Sequence, residues 1–234
     1  YKKLIFQNLR NSYTPVEKNS SIEFHFTGRE ALDAMYAAIE GAQRHIHLQS
    51  YIFLNDRTGN RFARLLMKKA REGVEVRVIY DGVGSISLKE EFVEQMEASG
   101  VEMLCFAKVR FPLPTSKVNY RNHRKILVVD GHTGFLGGVN IADRYYFGNE
   151  LGNWHDTHMK ITGEGVISLQ TSFLLDRYFI LNRKLKKRKK YFPQLQIKAR
   201  EGDKEERQPF AGGVLAVSSA KTETEPGVKT RIRH

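Results

Sequence analysis

Apolar and polar residues alternate through Ile22-Glu23-Phe24-His25-Phe26-Thr27, the period of a strand with one buried face. Gly28 interrupts that period, and Ala31, Leu32, Met35 and Ile39 then recur at helical spacing. His45 to Phe53 returns to strand character. Thr58 to Glu72 places Phe62, Leu65 and Leu66 on one helical face, and Gly73 is a stop signal. The β-branched run Val74 to Tyr80 ends at Asp81-Gly82. A helix predicted from Leu88 to Ser99 turns Phe92, Val93 and Met96 inward, and Val101 to Phe106 follows as a strand. Strands alternating with short helices predict an α/β fold of βαβ units around a largely parallel sheet, with right-handed connections. Chemistry in such sheets gathers at the carboxyl ends of strands. Asp81-Gly82-Val83-Gly84-Ser85 lies at one such end, where an ordinary strand-to-helix turn is the simplest reading.

Ala107 to Arg121 has no period and reads as a loop. It leads into a strand, Ile126-Leu127-Val128-Val129, a turn at Asp130-Gly131 and a hairpin partner from Thr133 to Leu136. Trp154 to Thr162 alternates as a strand. Gly163 to about Asn182 reads as a helix with Val166, Leu169, Phe173 and Leu174 inward, running into the basic stretch Arg183 to Lys190. The expected organisation is an N-terminal segment over 1–20, a catalytic half-domain over 21–192 and a linker over 193–211. The start of a second half-domain, ending in a disordered tail, would occupy 212–234.

Charge narrows the partners. A net charge of +12 favours anionic ones: nucleic acid, phospholipid headgroups or a phosphorylated substrate. The basic stretch suits either an anionic lipid surface or a solvated helix end. The single cysteine, Cys105, excludes an internal disulfide and sits in an apolar run, as a buried small hydrophobe would. No stretch approaches the ~20 apolar residues of a membrane span, and no signal-peptide pattern opens the chain, so the sequence reads as soluble. A start at Tyr1 without an initiator Met suggests a fragment.

The candidate chemistry is concentrated at the entry to one strand. His123 and Lys125 are two apart, so their side chains point the same way. Asn140 follows Gly137-Gly138-Val139 at the end of the hairpin partner. Imidazole, ammonium and amide groups then converge on one end of a hairpin, a set suited to phosphoryl transfer without a metal or other cofactor. His45 and His47 also share a strand face, where a structural role is the simpler reading because further metal ligands are not evident. Trp154 suits either a lipid pocket or, more commonly, a core anchor.

His123-x-Lys125, then Asp130, then Gly137-Gly138-x-Asn140 resembles the signature of the phospholipase D superfamily. The Gly-Gly form is similar to the first motif of bacterial cardiolipin synthases. Asn119 to Lys125, Asn140-Ile141-Ala142-Asp143, Trp154-His155-Asp156-Thr157-His158 and Tyr80 to Ser85 resemble segments of the same family, although position 155 is generally Arg there. The resemblance covers roughly residues 20 to 180.

The resemblance implies an α-β-α sandwich around a mixed, largely parallel sheet, and a phosphatidyltransferase joining two phosphatidylglycerols into cardiolipin and glycerol. His123 would be the nucleophile, forming a phosphatidyl-histidine. Lys125 and Asn140 would hold the non-bridging oxygens, with Gly138 and Arg121 also at the substrate. Asp130 would orient a histidine ring. The family uses two such motifs, and a second is absent: His158-Met159-Lys160 begins like one, but Gly165 stands where Asp is required. His158 is expected to be structural or pocket-lining. The implied partners are anionic phospholipid, a membrane surface, and either a missing second catalytic half or a second copy of the chain. The implied location is the cytoplasmic face of a bacterial membrane. A dimeric nuclease or phosphodiesterase of the same superfamily, and an inactive lipid-binding half-enzyme, are the competing readings. Nucleic acid is disfavoured because aromatic and basic residues do not interleave.

Overall fold

The computed structural model describes residues 20–108, 121–150, 152–183 and 188–193. The expected N-terminal segment, most of the 107–121 loop, residues 184–187 of the basic stretch, and the linker and second half-domain from 194 onward lie outside the described residues.

Seven strands form one sheet: β1 (Ser20–Thr27), β2 (His45–Ser50), β3 (Glu75–Asp81), β4 (Glu102–Phe106), β5 (Ile126–Val129), β6 (Thr133–Gly137) and β7 (His155–Gly163). Their order across the sheet is β1-β7-β6-β5-β2-β3-β4. The sheet is mixed, as expected, but it is not largely parallel. Only β2–β3 and β3–β4 are parallel; the other four neighbouring pairs are antiparallel. The reason lies in the connections. Helical crossovers join β2, β3 and β4, whereas β5 to β7 are joined by connections without a covering helix crossover and therefore reverse direction.

Helices α1 (Gly28–Glu40), α2 (Arg57–Arg71) and α3 (Glu90–Ala98) cover one face of the sheet. They bury Ala31, Leu32, Ile39, Phe62, Leu66, Phe92 and Met96 against Ile46, Leu48, Val76, Val78, Leu127 and Phe135, which is the main core. Thr27 begins α1 with a capping box: its hydroxyl accepts from Glu30 N at 3.3 Å, and the Glu30 carboxylate accepts from Thr27 N at 3.2 Å. A short helix, α4 (Asp143–Phe147), was not foreseen in the sequence. Asp56 and Asp143 lock it to α2 by capping each other's helices. Asp56 accepts from Asp143 N at 2.7 Å, and Asp143 accepts from Thr58 N at 2.7 Å.

The opposite face is covered by α5 (Val166–Leu181), and much of that contact is polar. Gln170 lies between His45 Nε2 at 3.1 Å and His47 Nδ1 at 2.7 Å. Arg77 Nη1 faces His47 Nε2 at 3.0 Å, and Arg177 grips Glu102 at 2.6 and 2.9 Å. A guanidinium can only donate, so that ring nitrogen accepts and His47 is held neutral. Burial pushes both histidines below their ordinary value. His45 and His47 are thus structural. The short 3-10 helix Arg188–Tyr191 seats buried Tyr191 beside them and pairs Lys190 with Glu75 at 2.6 Å, so this end of the basic stretch is committed to the fold. Among the described residues strand β1 is an edge strand, and Ile22, Phe24 and Phe26 are half or more exposed. The register places Ile22 and Phe24 on the same sheet face as Ile161 and Leu136, which pack with Val166 and Leu169 of α5. No helix among the described residues is long and apolar enough to cross a membrane.

Candidate functional site

One end of the sheet gathers the carboxyl ends of β1, β2, β3 and β6 and the amino ends of β5 and β7. His123 and Lys125 stand there, just before β5. His123 is exposed, and buried Lys125 places its ammonium 3.0 Å from His123 Nδ1 and 2.7 Å from the His123 carbonyl. The Tyr51 ring packs 4.5 Å from the His123 ring. Nε2 of His123 has no hydrogen-bond partner among the described residues, which leaves it available to a substrate.

Burial pushes the Lys125 ammonium down to about 8, with the Asp156 carboxylate opposing. His123 also lies below the ordinary histidine value, first through desolvation and then through repulsion from Lys125, with Asp81 opposing. At neutral pH this combination gives an uncharged imidazole beside a cation. His158, on β7, is buried with its Nε2 unpartnered, and burial pushes it down to about 4. Its Nδ1 accepts from Val139 N at 3.4 Å. His158 therefore lines the site as a neutral ring.

Of the expected site residues, Asp130 is placed elsewhere, while Asn140 and Gly138 stand at this end of the sheet. Asp130 is at the opposite end of β5, about 16 Å from Lys125 by strand rise. Its carboxylate accepts from the backbone N–H of Gln43, Arg44 and His45 at 2.9, 2.7 and 2.9 Å, so it orients no ring at the site. Asn140 is at the right end, but both its amide atoms are engaged: Oδ1 accepts from Ile52 N at 3.0 Å and Nδ2 donates to the Tyr145 hydroxyl at 2.7 Å. It positions Ile52 and the Tyr145 hydroxyl, and the second N–H of its amide has no partner among the described residues. Gly138 is required for space, because a Cβ there would stand 2.1 Å from an Asp156 carboxylate oxygen. Arg121 keeps its expected candidacy, since its Nη1 is buried without a hydrogen-bond partner.

Two carboxylates take the place intended for Asp130. Asp156 lies over Gly138, and its field reaches Lys125 and His158. Asp176, on α5, accepts from Gln49 Nε2 and Asn122 Nδ2 at 2.8 Å each and from Arg124 Nη1 at 3.1 Å. Asn122 and Arg124 flank His123, so Asp176 fixes the segment that presents the imidazole. Asp81 assists from the other side, accepting from Asn122 N at 3.1 Å while closing its own turn through Val83 and Gly84 N–H. Asp156 falls in a segment already noted in the sequence; Asp176 carries no sequence signal, because only tertiary packing brings it to residue 122. Trp154 packs against Tyr145 at 4.5 Å as a core anchor. Among the described residues no group of three or more His, Cys, Asp or Glu is placed to hold a metal ion.

Residues 35–163 match the family described as cardiolipin synthase, PLD-like domain, more than half of the chain. The chain belongs to that PLD-like domain family. The domain is 45% identical to a cardiolipin synthase of Geobacillus kaustophilus over 172 residues, covering 73% of this chain and 34% of the relative. It is 36% identical to a cardiolipin synthase of Listeria innocua over 231 residues, covering 94% of this chain and 48% of the relative. The chain spans about a third to a half of the length of these relatives. Its fold is also that of Nuc, a phospholipase D family member from Salmonella typhimurium. The TM-score is 0.52 at 17% identity, covering 69% of this chain and 96% of that one. The PLD-like domain thus accounts for the α/β architecture, and residues 35–163 carry His123, Lys125, Asn140 and Asp156.

Proposed function

We propose that this PLD-like domain supplies one half of the active site of a cardiolipin synthase-like phosphatidyltransferase, working on phosphatidylglycerol at the cytoplasmic face of a bacterial membrane. The observation that carries the reading is the pairing of exposed His123 with the buried Lys125 ammonium at 3.0 Å, at the sheet end that Asp156 also faces.

The geometry suggests an order of events. Below about pH 8 Lys125 is a cation and donates to His123 Nδ1, which keeps the ring proton on Nε2. A phosphodiester entering the site draws the ammonium to a non-bridging oxygen. Nδ1 then takes the ring proton and the Nε2 lone pair faces phosphorus. The N–P bond forms as the P–O bond to glycerol breaks, and the departing glycerol oxygen takes a proton from the second half of the site. A hydroxyl of a second phosphatidylglycerol then attacks phosphorus while giving its proton back to the second half of the site, and the N–P bond breaks to release His123. The second half comes from a further motif or from another copy of the chain.

The test is to incubate the protein with phosphatidylglycerol vesicles and measure glycerol release together with an acid-labile phosphoramidate on His123 by mass spectrometry. Both are expected, and His123→Ala should abolish both. Undiminished release in that variant, or cleavage of DNA with no action on phosphatidylglycerol, refutes the reading. Sedimentation of the active species shows which source supplies the second half.

A further inference from the structure

Away from His123, a groove runs between α1, α2 and α4. Two adjoining cavities of about 310 and 350 Å³ share Tyr36, Arg61 and Arg64 as walls. Arg57, Arg61, Arg64 and Lys68 recur along α2 at spacings of four, three and four, so four cations line one side of that helix. All four are exposed.

Aromatic rings hold the upper cations in place. The Arg61 guanidinium lies 3.8 Å from the Tyr36 ring centroid, and Arg57 lies 4.7 Å from that of Phe147. The rings are themselves fixed: Tyr36 donates to the Thr58 carbonyl at 3.2 Å, and Tyr146 donates to Asp33 at 3.0 Å. Asp33 also meets Arg61 at 3.5 Å, and Lys68 meets Glu72 at 3.8 Å. Arg57 and Arg64 have no carboxylate partner among the described residues. A guanidinium stacked on a ring keeps its N–H edge free for a planar, two-pronged anion contact. The two unpaired guanidinium groups, Arg57 stacked on Phe147 and Arg64 lining both cavities with Tyr36, suit a phosphodiester. Exposed Phe147, at the mouth beside Arg57, adds the apolar contact expected at a bilayer interface.

The groove also touches the catalytic end through α4. Tyr145, whose hydroxyl holds Asn140, precedes Tyr146 and Phe147 in that helix. The reciprocal Asp56–Asp143 caps tie the same helix to α2.

We propose that this groove binds the phosphate of an anionic phospholipid headgroup at the bilayer surface and so holds the catalytic end of the sheet against the membrane. It is a site separate from His123. It deepens the phosphatidyltransferase reading without depending on turnover, because vesicle binding requires no chemistry.

The experiment compares the protein, Arg57→Gln/Arg64→Gln, and the charge-matched control Arg71→Gln/Lys89→Gln. Each is cosedimented with vesicles of phosphatidylglycerol and phosphatidylcholine, and with phosphatidylcholine alone. Circular dichroism confirms that each variant is folded. A cation near an anionic surface strengthens partitioning about fivefold, so losing both groove arginines should weaken binding to anionic vesicles roughly 25-fold. The control pair should lose far less, and soluble glycerol phosphate at millimolar concentration should not compete. Equal loss in both double variants overturns the proposal by reducing the effect to net charge. Effective competition by glycerol phosphate overturns the bilayer source. A groove variant that loses short-duplex DNA binding while keeping vesicle binding reassigns the groove to nucleic acid and overturns it too. Failure of phosphatidyl transfer with vesicle binding intact would remove the catalytic reading and leave the groove standing.

Discussion

Replacing Asp130 separates a structural role from a catalytic one. Its carboxylate accepts three backbone N–H groups at 2.9, 2.7 and 2.9 Å, where the segment after α1 enters β2. The residue sits at φ 54, in the left-handed region that Asp and Asn tolerate better than Ala. Each such bond contributes ~1 kcal/mol net, the gain from a charged acceptor being offset here by partial exposure. Asp130→Ala forfeits about 3 kcal/mol of hydrogen bonding and about 1 kcal/mol in backbone conformation. That total of about 4 kcal/mol is a large share of the 5–15 kcal/mol typical of a domain. Asp130→Asn keeps the backbone preference and one carbonyl acceptor, so its loss should be nearer to about 1–2 kcal/mol. Urea unfolding followed by circular dichroism measures both values, and the NMR titration of His123 is followed in the same samples. The expected outcome is lowered stability in the order Ala worse than Asn, with the His123 midpoint unmoved in the folded Asn variant. An Asn variant of unchanged stability whose His123 midpoint shifts would refute the placement of Asp130 far from the site.

Gly138→Ala should drive the Asp156 carboxylate out of place, because the new Cβ would lie 2.1 Å from one of its oxygens. The Lys125 midpoint should then fall below about 8, and transfer should drop on the order of 100-fold. Gly41→Ala, with no atom nearer than 3.7 Å, serves as the silent control. The buried histidines under α5 predict acid sensitivity. His45 and His47 have folded values below the unfolded 6.5, so the unfolded chain binds more protons as pH falls and stability is lost downward from about pH 6.5. Melting temperatures between pH 7.5 and about 5 should show this decline, and a flat profile would contradict burial of the two rings as neutral groups.

Local patterns made much of the fold legible. Helices α1, α2 and α3 follow their apolar spacing, with buried Ala31, Leu32, Phe62 and Phe92 where periodicity put them. Strand pairing was less legible, since β1 finds β7 more than a hundred residues away, as in the pairing of His25 with His158. Nothing local encodes that partner; of the antiparallel half, only the β5–β6 hairpin is legible in the sequence. At the site, strand alternation brought His123 and Lys125 together correctly. The same arithmetic applied to Asp130 would have placed it at the far end of β5; the motif resemblance drew it into the site instead. Helix α4 was missed because five residues are too few to show a period. Asp176 was missed because its role exists only once α5 has docked.

The open flank of β1 bears on how this protein behaves in concentrated solution. Among the described residues the strand has a neighbour on one side only, and no described strand pairs with its other backbone edge. Ile22, Phe24 and Phe26 are exposed along it, and Glu23 is already tied to Lys160. A strand of this kind is a template for edge-to-edge growth, and it lacks the outward lysine or proline that guards such edges elsewhere. Solubility, and not only catalysis, then depends on what shields those eight residues.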